Sequence, residues 1–247
     1  MEIIGILLLG WVSGWIINYL ADVLPVNRKF TKPVCLQCAA PTSWQDYVLI
    51  KPCQSCGRKR TRRTWLVQIL LPLIALYLFL YPPARLGFWI GFGLVIFFGV
   101  VAVIDVEYRA ILLPVNIFGL IIGFFIGWMI RGPVETILGG LAGFLLMLSL
   151  YYLGILFNRV IGRIRNIEVD EVALGFGDVY LMGGLGLMMG WPEVVGGLLI
   201  ALILGGLVSG LIILVTWMAK RYEPLQAIPY APFFIIAAVI MIYLPKQ

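Results

Sequence analysis

Long runs of apolar residues, separated by short polar segments, occupy most of this chain. A bilayer core of about 30 Å needs roughly 20 helical residues, and eight runs approach this length. The predicted spans are 3–24, 65–81, 87–104, 111–130, 135–157, 174–190, 194–218 and 228–244. Polar residues interrupt two of them: Asn18 and Asp22 in the first and Asp178 in the sixth. The pattern predicts an all-α integral membrane protein of about eight transmembrane helices.

Composition agrees with this prediction. Of the 247 residues, 62% are hydrophobic and only 12% are charged, whereas soluble domains are about half apolar and a quarter charged. The first apolar run lacks the short core and small-residue cleavage site of a signal peptide, so we interpret it as a retained span. In such a protein the net charge of +6 indicates topology rather than a nucleic-acid partner.

The basic residues predict how the chain is oriented. Segment 25–64 holds nine of the 18 lysines and arginines, namely Arg28, Lys29, Lys32, Lys51, Arg58, Lys59, Arg60, Arg62 and Arg63. Positive charge favours the cytoplasmic side. With eight spans, loops on that side add Arg109, Arg159, Arg163, Arg165, Lys220 and Arg221, and the other side keeps Arg85, Arg131 and Lys246. We therefore expect both termini outside the cytoplasm. The mixed-charge stretch 158–173 is interpreted as a solvated connection.

All four cysteines lie in the predicted cytoplasmic segment. Cys35, Cys38, Cys53 and Cys56 form two C-x2-C pairs with 14 residues between them. Four thiolates with this spacing are typical of a tetrahedral, structural zinc site. Such a metal would stabilise a knob too small to fold on apolar burial alone. A disulfide pair, unliganded cysteines, and a soft-metal or redox cluster are the alternatives.

Two aspartates at the ends of apolar runs are the candidate chemistry. Asp105 ends the third span and Asp178 begins the sixth, and the predicted topology puts both at the cytoplasmic edge. Two carboxylates that share a proton can activate water and protonate a leaving amine. Alternatively, Asp178 only caps its helix. Asp105 is expected to gain nothing from a helix dipole, because it lies at a C-terminus. Asp22 is a minor candidate that could pair with a nearby Arg or Lys.

Glycines precede the second aspartate, in the sequence GFGD. Gly175 and Gly177 would let an extended peptide backbone approach Asp178. The chain has no histidine, which excludes Ser–His and HExxH protease chemistry.

For Asn18 an interhelical hydrogen bond is the simpler interpretation. Small residues also let membrane helices pack closely, and we expect that role for most glycines in spans (Gly183, Gly184, Gly186, Gly196, Gly197, Gly205 and Gly206).

Taken together, these motifs resemble the type IV prepilin peptidases, a family of GxGD membrane aspartyl proteases. GWIINYLADVLP (14–25) is similar to the family's first-span motif, IDVEYRAILLP to its first catalytic segment and GFGDVYL to its GxGDxKL motif. The cysteine pairs match its zinc motif, and IPYAPF (228–233) resembles the stretch before its last span. The resemblance covers most of the chain.

The resemblance implies a peptidase of the bacterial inner membrane. Its substrates would be type IV prepilins or pseudopilins, which serve pili, type II secretion or DNA uptake, and it would contact lipid but no nucleic acid. Asp105 and Asp178 would be catalytic, the four cysteines would bind zinc, and Asn18 would belong to the N-terminal motif. Many members also methylate the new N-terminus with S-adenosylmethionine.

Several positions depart from the family pattern. The segment between Asp105 and Pro114 is two residues longer, and Val115 and Asn116 follow that proline in place of an aspartate. The lysine of GxGDxKL is Tyr180. Trp15 replaces a serine of the first motif, a basic residue is missing around Asp22, and the acidic residue early in the second span is Gln68. Methylation is the activity that these departures put in doubt.

The sequence therefore predicts three regions: a first helix (1–24), a four-cysteine segment (25–64) and a seven-helix peptidase core (65–247). Two other functions stay open. A presenilin-like GxGD protease would share the acidic pair but would not need the cysteine knob. A scaffold or transporter would hold ions near the midplane of the bilayer, whereas these aspartates are predicted at one edge.

Overall fold

The computed structural model describes residues 1–38, 40–165, 175–219 and 229–243, with 161–165 described by their backbone alone. In these ranges the chain is helical, apart from an isolated bridge between Val34 and Pro41 and the connections. The helices are α1 (Glu2–Asn27), α2 (Trp44–Val48), α3 (Arg62–Leu80), α4 (Gly87–Tyr108), α5 (Leu113–Arg131), α6 (Pro133–Arg165), α7 (Phe176–Met189), α8 (Glu193–Met218) and α9 (Ala231–Tyr243). The all-α prediction is confirmed.

Each predicted span corresponds to a helix, but the helices differ in length. Six of the described helices are long and apolar enough to cross a membrane: α1, α3, α4, α5, α6 and α8. The other two, α7 with 14 residues and α9 with 13, are each about 20 Å long, which is less than the bilayer core. Ten residues of α7 are buried, so this helix mostly contacts protein rather than lipid.

Large apolar side chains cover the outer faces of the longer helices. Examples are Leu8, Leu70, Phe125, Leu145 and Leu211, which are between 43% and 63% exposed. Exposed apolar surface of this extent marks a membrane-facing or interaction surface. The protein is therefore a multi-pass membrane protein.

Close antiparallel packing of α1 and α3 characterises the first of two compact units, Met1–Ile104. A Cβ atom at Gly10 would lie 2.5 Å from the Cα atom of Pro72, so only glycine fits there. About two turns further along α1, the Nδ2 atom of Asn18 donates to the carbonyl oxygen of Thr64 over 3.3 Å. The interhelical hydrogen bond predicted for Asn18 is thus present.

The second unit, Asp105–Gln247, is built around α7. A Cβ atom at Gly123 of α5 would lie 2.5 Å from the carbonyl oxygen of Gly184, and one at Gly139 of α6 would lie 2.5 Å from that of Gly186. Along these contacts α5 runs parallel to α7, and α6 runs antiparallel. The packing role predicted for Gly184 and Gly186 is confirmed, whereas no described residue comes within 4 Å of a Cβ atom built at Gly206.

Two helix ends differ from the sequence prediction. Asp105 lies in the last turn of α4 rather than at its end, since the helix continues to Tyr108. It stops where Arg109 adopts a left-handed conformation with φ of 50°, a common way to end a helix. The stretch 158–173 is helical as far as Arg165, and the rest of it lies outside the described residues.

Candidate active site and metal centre

Asp178 is held by the start of its own helix. Gly175 is the N-cap of α7, and its N–H donates to the Oδ2 atom of Asp178 over 2.9 Å. In return, the N–H of Asp178 donates to the carbonyl oxygen of Gly175 over 3.0 Å. The residue is only 8% exposed. Asp178 thus has the capping contact that its position predicted, in a buried setting.

Asp105 is held by the start of a different helix. Its Oδ2 atom accepts a hydrogen bond of 2.9 Å from the N–H of Ala231, the first residue of α9. The first N–H groups of a helix lack partners within it, and they favour a negative charge. The expectation that Asp105 gains nothing from a helix dipole was wrong, because the donor comes from a helix 126 residues away in sequence.

The two carboxylates are brought together. Asp105 is 4% exposed, and it lies close enough to Asp178 for their charges to interact. They occupy the last turn of α4 and the first turn of α7, on the side where α5 and α9 begin. Two close carboxylates in a site of low dielectric do not both ionise easily, so such a pair tends to share one proton.

The two glycines before Asp178 have different surroundings. A Cβ atom at Gly177 would lie 3.1 Å from both Cβ and the carbonyl oxygen of Ile111, so the chain itself fills that space. Gly175 is exposed, with φ of −77° and ψ of 149° that any residue can adopt. A Cβ atom there would meet only ordinary contacts, the nearest being Oδ2 of Asp178 at 3.5 Å. Among the described residues no packing contact requires the glycine at 175, and its backbone conformation does not require it either.

Other side chains support this site without having been singled out as part of it. The Nδ2 atom of Asn116, in the first turn of α5, donates to the carbonyl oxygen of Gly177 over 3.1 Å. The sequence signal was a polar residue in an apolar helix just after a Leu–Pro pair. Tyr180, where the resemblance predicts lysine, packs its ring 5.3 Å from Phe176 and 5.9 Å from Phe144, between ring centroids.

The four cysteines form one cluster, as their spacing predicted. All four Sγ atoms lie within 4.8 Å of one another, and the Cys35–Cys56 and Cys38–Cys53 pairs are each 3.7 Å apart. A disulfide would need about 2.05 Å. A tetrahedral zinc ion with Zn–S bonds of about 2.3 Å would place its sulfurs about 3.8 Å apart. The geometry therefore fits a metal and not a disulfide.

Backbone N–H groups favour the thiolate form of two of these cysteines, Cys53 and Cys35. Those of Cys56 and Ser55 lower the pKa of Cys53 to about 6, so this sulfur is a thiolate at neutral pH. In the first C-x2-C pair, the Sγ atom of Cys35 accepts backbone hydrogen bonds from Cys38 and Gln37. Thiolates are the form that binds zinc.

The remaining candidate, Asp22, is part of a buried charge cluster. Its side chain is 2% exposed and pairs with Arg63, and with Arg60 at 3.6 Å. The hydroxyl of Tyr47 donates to its Oδ2 atom over 2.8 Å, and Arg60 lies 4.2 Å from the centre of the Tyr47 ring. Asp22 therefore has the basic partners that were expected, and it attaches α1 to the cysteine segment.

These features define a class of protein: a multi-pass membrane protein with a four-cysteine cluster and, in its second compact unit, a buried pair of aspartates. Residues 92–210, which include both aspartates, match the model of the type IV leader peptidase family. A prepilin leader peptidase/N-methyltransferase from Aeromonas hydrophila is 25% identical over 231 residues, covering 87% of this chain and 72% of that protein. No solved structure matches significantly. Residues 92–210 therefore resemble a type IV leader peptidase domain, and both comparisons support a peptidase of the membrane.

The cysteine geometry predicts that purified protein contains one zinc ion per chain. A Cys38→Ser variant should lose most of the metal, because three thiolates bind zinc more weakly than four. Metal analysis measures the content, and titration with a thiol reagent should detect four reactive thiols only after chelation. As a control, Ser55→Ala, beside the cluster, should keep the zinc. A metal-free wild type with four reactive thiols would contradict the prediction.

The contact of α9 with Asp105 predicts the effect of removing one backbone N–H. Ala231→Pro deletes the donor at the first helical position, where proline is tolerated. A hydrogen bond to a charged group contributes about 1.5–3 kcal/mol, so we expect peptidase activity to fall by roughly ten- to a hundredfold. Ala231→Gly, which keeps the N–H, should stay near wild type. Equal activity of the two variants would show that the bond is unimportant.

Proposed function

We propose that this protein is an aspartic endopeptidase that removes the leader of type IV prepilins or pseudopilins. The observation that carries the proposal is the pairing of Asp105 and Asp178, which are buried, within electrostatic range of each other and each bound to a backbone N–H at a helix start. The family match and the name of the Aeromonas hydrophila relative support the proposed substrate.

The mechanism uses the two carboxylates in opposite roles. The ionised aspartate takes a proton from a water molecule, and the oxygen of that water attacks the carbonyl carbon of the scissile bond. The protonated aspartate then gives its proton to the departing nitrogen as the carbon–nitrogen bond breaks. Low exposure at 4% and 8% favours a shared proton, because the two charges are poorly screened.

The exposed position of Gly175 supports an approach route for the substrate backbone. Among the described residues no side chain other than that of Asp178 comes within 4 Å of a Cβ atom built there, so an extended peptide can come close to the Oδ2 atom of Asp178. For Gly177 the neighbouring Ile111 gives a sufficient packing reason. We therefore assign the approach role to Gly175 first.

The orientation rests on charge. With the nine basic residues of 25–64 in the cytoplasm, an even number of crossings puts both termini outside and the start of α7 on the cytoplasmic side. The apolar part of a prepilin would then lie in the bilayer, with its leader in the cytoplasm. The acidic residues Glu168, Asp170 and Glu171, proposed to meet a basic leader, lie outside the described residues. The inner bacterial membrane is the matching location.

Zinc and a methyl donor are the proposed cofactors. Zinc would be held by Cys35, Cys38, Cys53 and Cys56 and would stabilise the knob. For S-adenosylmethionine, which supplies the methyl group, the first unit offers two buried amide oxygens without hydrogen-bond partners among the described residues, on Asn18 and Gln68. Such oxygens fit the ammonium group of the donor, and Asn18 and Gln68 are the residues that would accept from it.

Other functions fit less well. A presenilin-like protease would use the same aspartates but leaves the cysteine cluster unexplained. A transporter site is expected near the bilayer midplane, whereas both aspartates lie in terminal helical turns. Sequence regions 1–24, 25–64 and 65–247 stay our proposed division into a first helix, a metal knob and a peptidase core.

The acidic pair predicts that Asp105→Asn and Asp178→Asn each abolish cleavage of a candidate prepilin. Mass spectrometry of the products measures leader removal, and added S-adenosylmethionine shows whether the new N-terminus gains one methyl group. Glu107→Gln, an exposed acidic residue two positions after Asp105, is the matched control and should cleave normally. If Asp178→Asn cleaved prepilin as fast as wild type, the proposed aspartic mechanism would be wrong.

Because the two glycines have different surroundings, we expect a substitution at Gly175 to lower activity and one at Gly177 to lower stability. Gly175→Val should fold normally but process prepilin at least roughly tenfold more slowly, since its side chain occupies the approach route. Gly177→Val should lower the unfolding temperature in detergent, because a Cβ atom there already meets Ile111 at 3.1 Å and further atoms would overpack the site. If Gly175→Val kept the wild-type kcat/KM, the approach route would lie elsewhere.

A further inference from the structure

Asn116 holds the peptide group that leads into Asp178. The carbonyl oxygen of Gly177 and the N–H of Asp178 belong to the same peptide unit. That oxygen accepts from Nδ2 of Asn116 over 3.1 Å, and that N–H donates to Gly175 over 3.0 Å. A peptide group is planar, so fixing both ends fixes the plane from which Cα of Asp178, and with it the carboxylate, projects.

The same contact links the two aspartates through the chain. Asn116 lies eleven residues after Asp105, in the first turn of the helix that follows α4. Ile111, in the connection between these helices, lies 3.1 Å from the point that a Cβ atom at Gly177 would occupy. The connection that leaves Asp105 is thus attached to the peptide that precedes Asp178 by one hydrogen bond and one close packing contact.

Stability alone does not explain an asparagine at this position. Its side chain is buried, at 3% exposed, and Oδ1 has no hydrogen-bond partner among the described residues. A buried polar atom without a partner costs about 1–3 kcal/mol. The carbonyl of Gly177 is also inside a helix, where the N–H four residues later ordinarily bonds to it. A leucine of similar size would avoid that cost but could not orient the peptide.

We propose that Asn116 is a positioning residue that sets Asp178 at the correct distance and angle from Asp105. The inference rests on the proposed aspartic mechanism and adds to it a residue that touches neither substrate nor water. It assigns the asparagine two residues after Pro114 to this task. A displacement of the carboxylate by a fraction of an ångström then lowers the rate of the chemical step and leaves substrate binding unchanged.

The test compares Asn116→Leu, Asn116→Asp and Asn116→Gln with wild type, using a prepilin substrate and full-length protein in detergent. Leucine and aspartate both remove the donor to Gly177, and we expect kcat to fall on the order of 10- to 100-fold with KM unchanged. Glutamine keeps an amide donor and should recover part of the rate. The unfolding temperature of Asn116→Leu should equal or exceed that of wild type, because the unpartnered oxygen is gone.

Ser149→Ala, which removes an exposed hydroxyl that bonds within α6, serves as the control with wild-type kcat. A wild-type kcat for Asn116→Leu would overturn the positioning role. The positioning role would also be overturned if all three variants lost activity only in proportion to a lower unfolding temperature. Asp178→Asn is measured alongside: if it is active, the aspartic mechanism fails, whereas an inactive Asp178→Asn with a fully active Asn116→Leu rejects the positioning role alone.

Discussion

Two buried carboxyl groups that lie close together are the costly feature of this molecule, and helix starts offset the cost. Asp178 receives a backbone N–H at the start of its own helix, and Asp105 receives one at the start of α9. Each donor stabilises a carboxylate in surroundings of low dielectric. The structure therefore brings the starts of α7 and α9 and the last turn of α4 to one place, and the second unit is organised around that meeting point.

Glycine packing makes this arrangement sterically feasible. The central helix α7 is approached by α5 at Gly184 and by α6 at Gly186, so closely that a Cβ atom at the facing Gly123 or Gly139 would collide with its backbone. Without a strong hydrophobic force between helices in lipid, such close contact is a main source of their association. These contacts hold α7 between α5 and α6, and the first turn of the same helix carries Asp178 and accepts the bond from Asn116.

The sequence predicted the features that depend on local pattern. Apolar runs located every long helix, and the cysteine spacing predicted the cluster that the structure contains. It could not predict the partner of Asp105, because no pattern within α4 points to Ala231, 126 residues later. The contact of Asn116 was missed for the same reason. Gly175 and Gly177 looked equivalent in sequence, and only the position of Ile111 distinguishes them.

The bond between Asp105 and Ala231 also bears on how the protein is made. Synthesis proceeds from the N-terminus, so the first carboxylate enters the membrane long before the residue that stabilises it. A nascent chain with α4 to α8 inserted contains both aspartates, yet Asp105 still lacks its backbone donor. The acidic pair is therefore complete only when α9 has inserted, and an incomplete chain lacks the arrangement that the proposed aspartic mechanism requires.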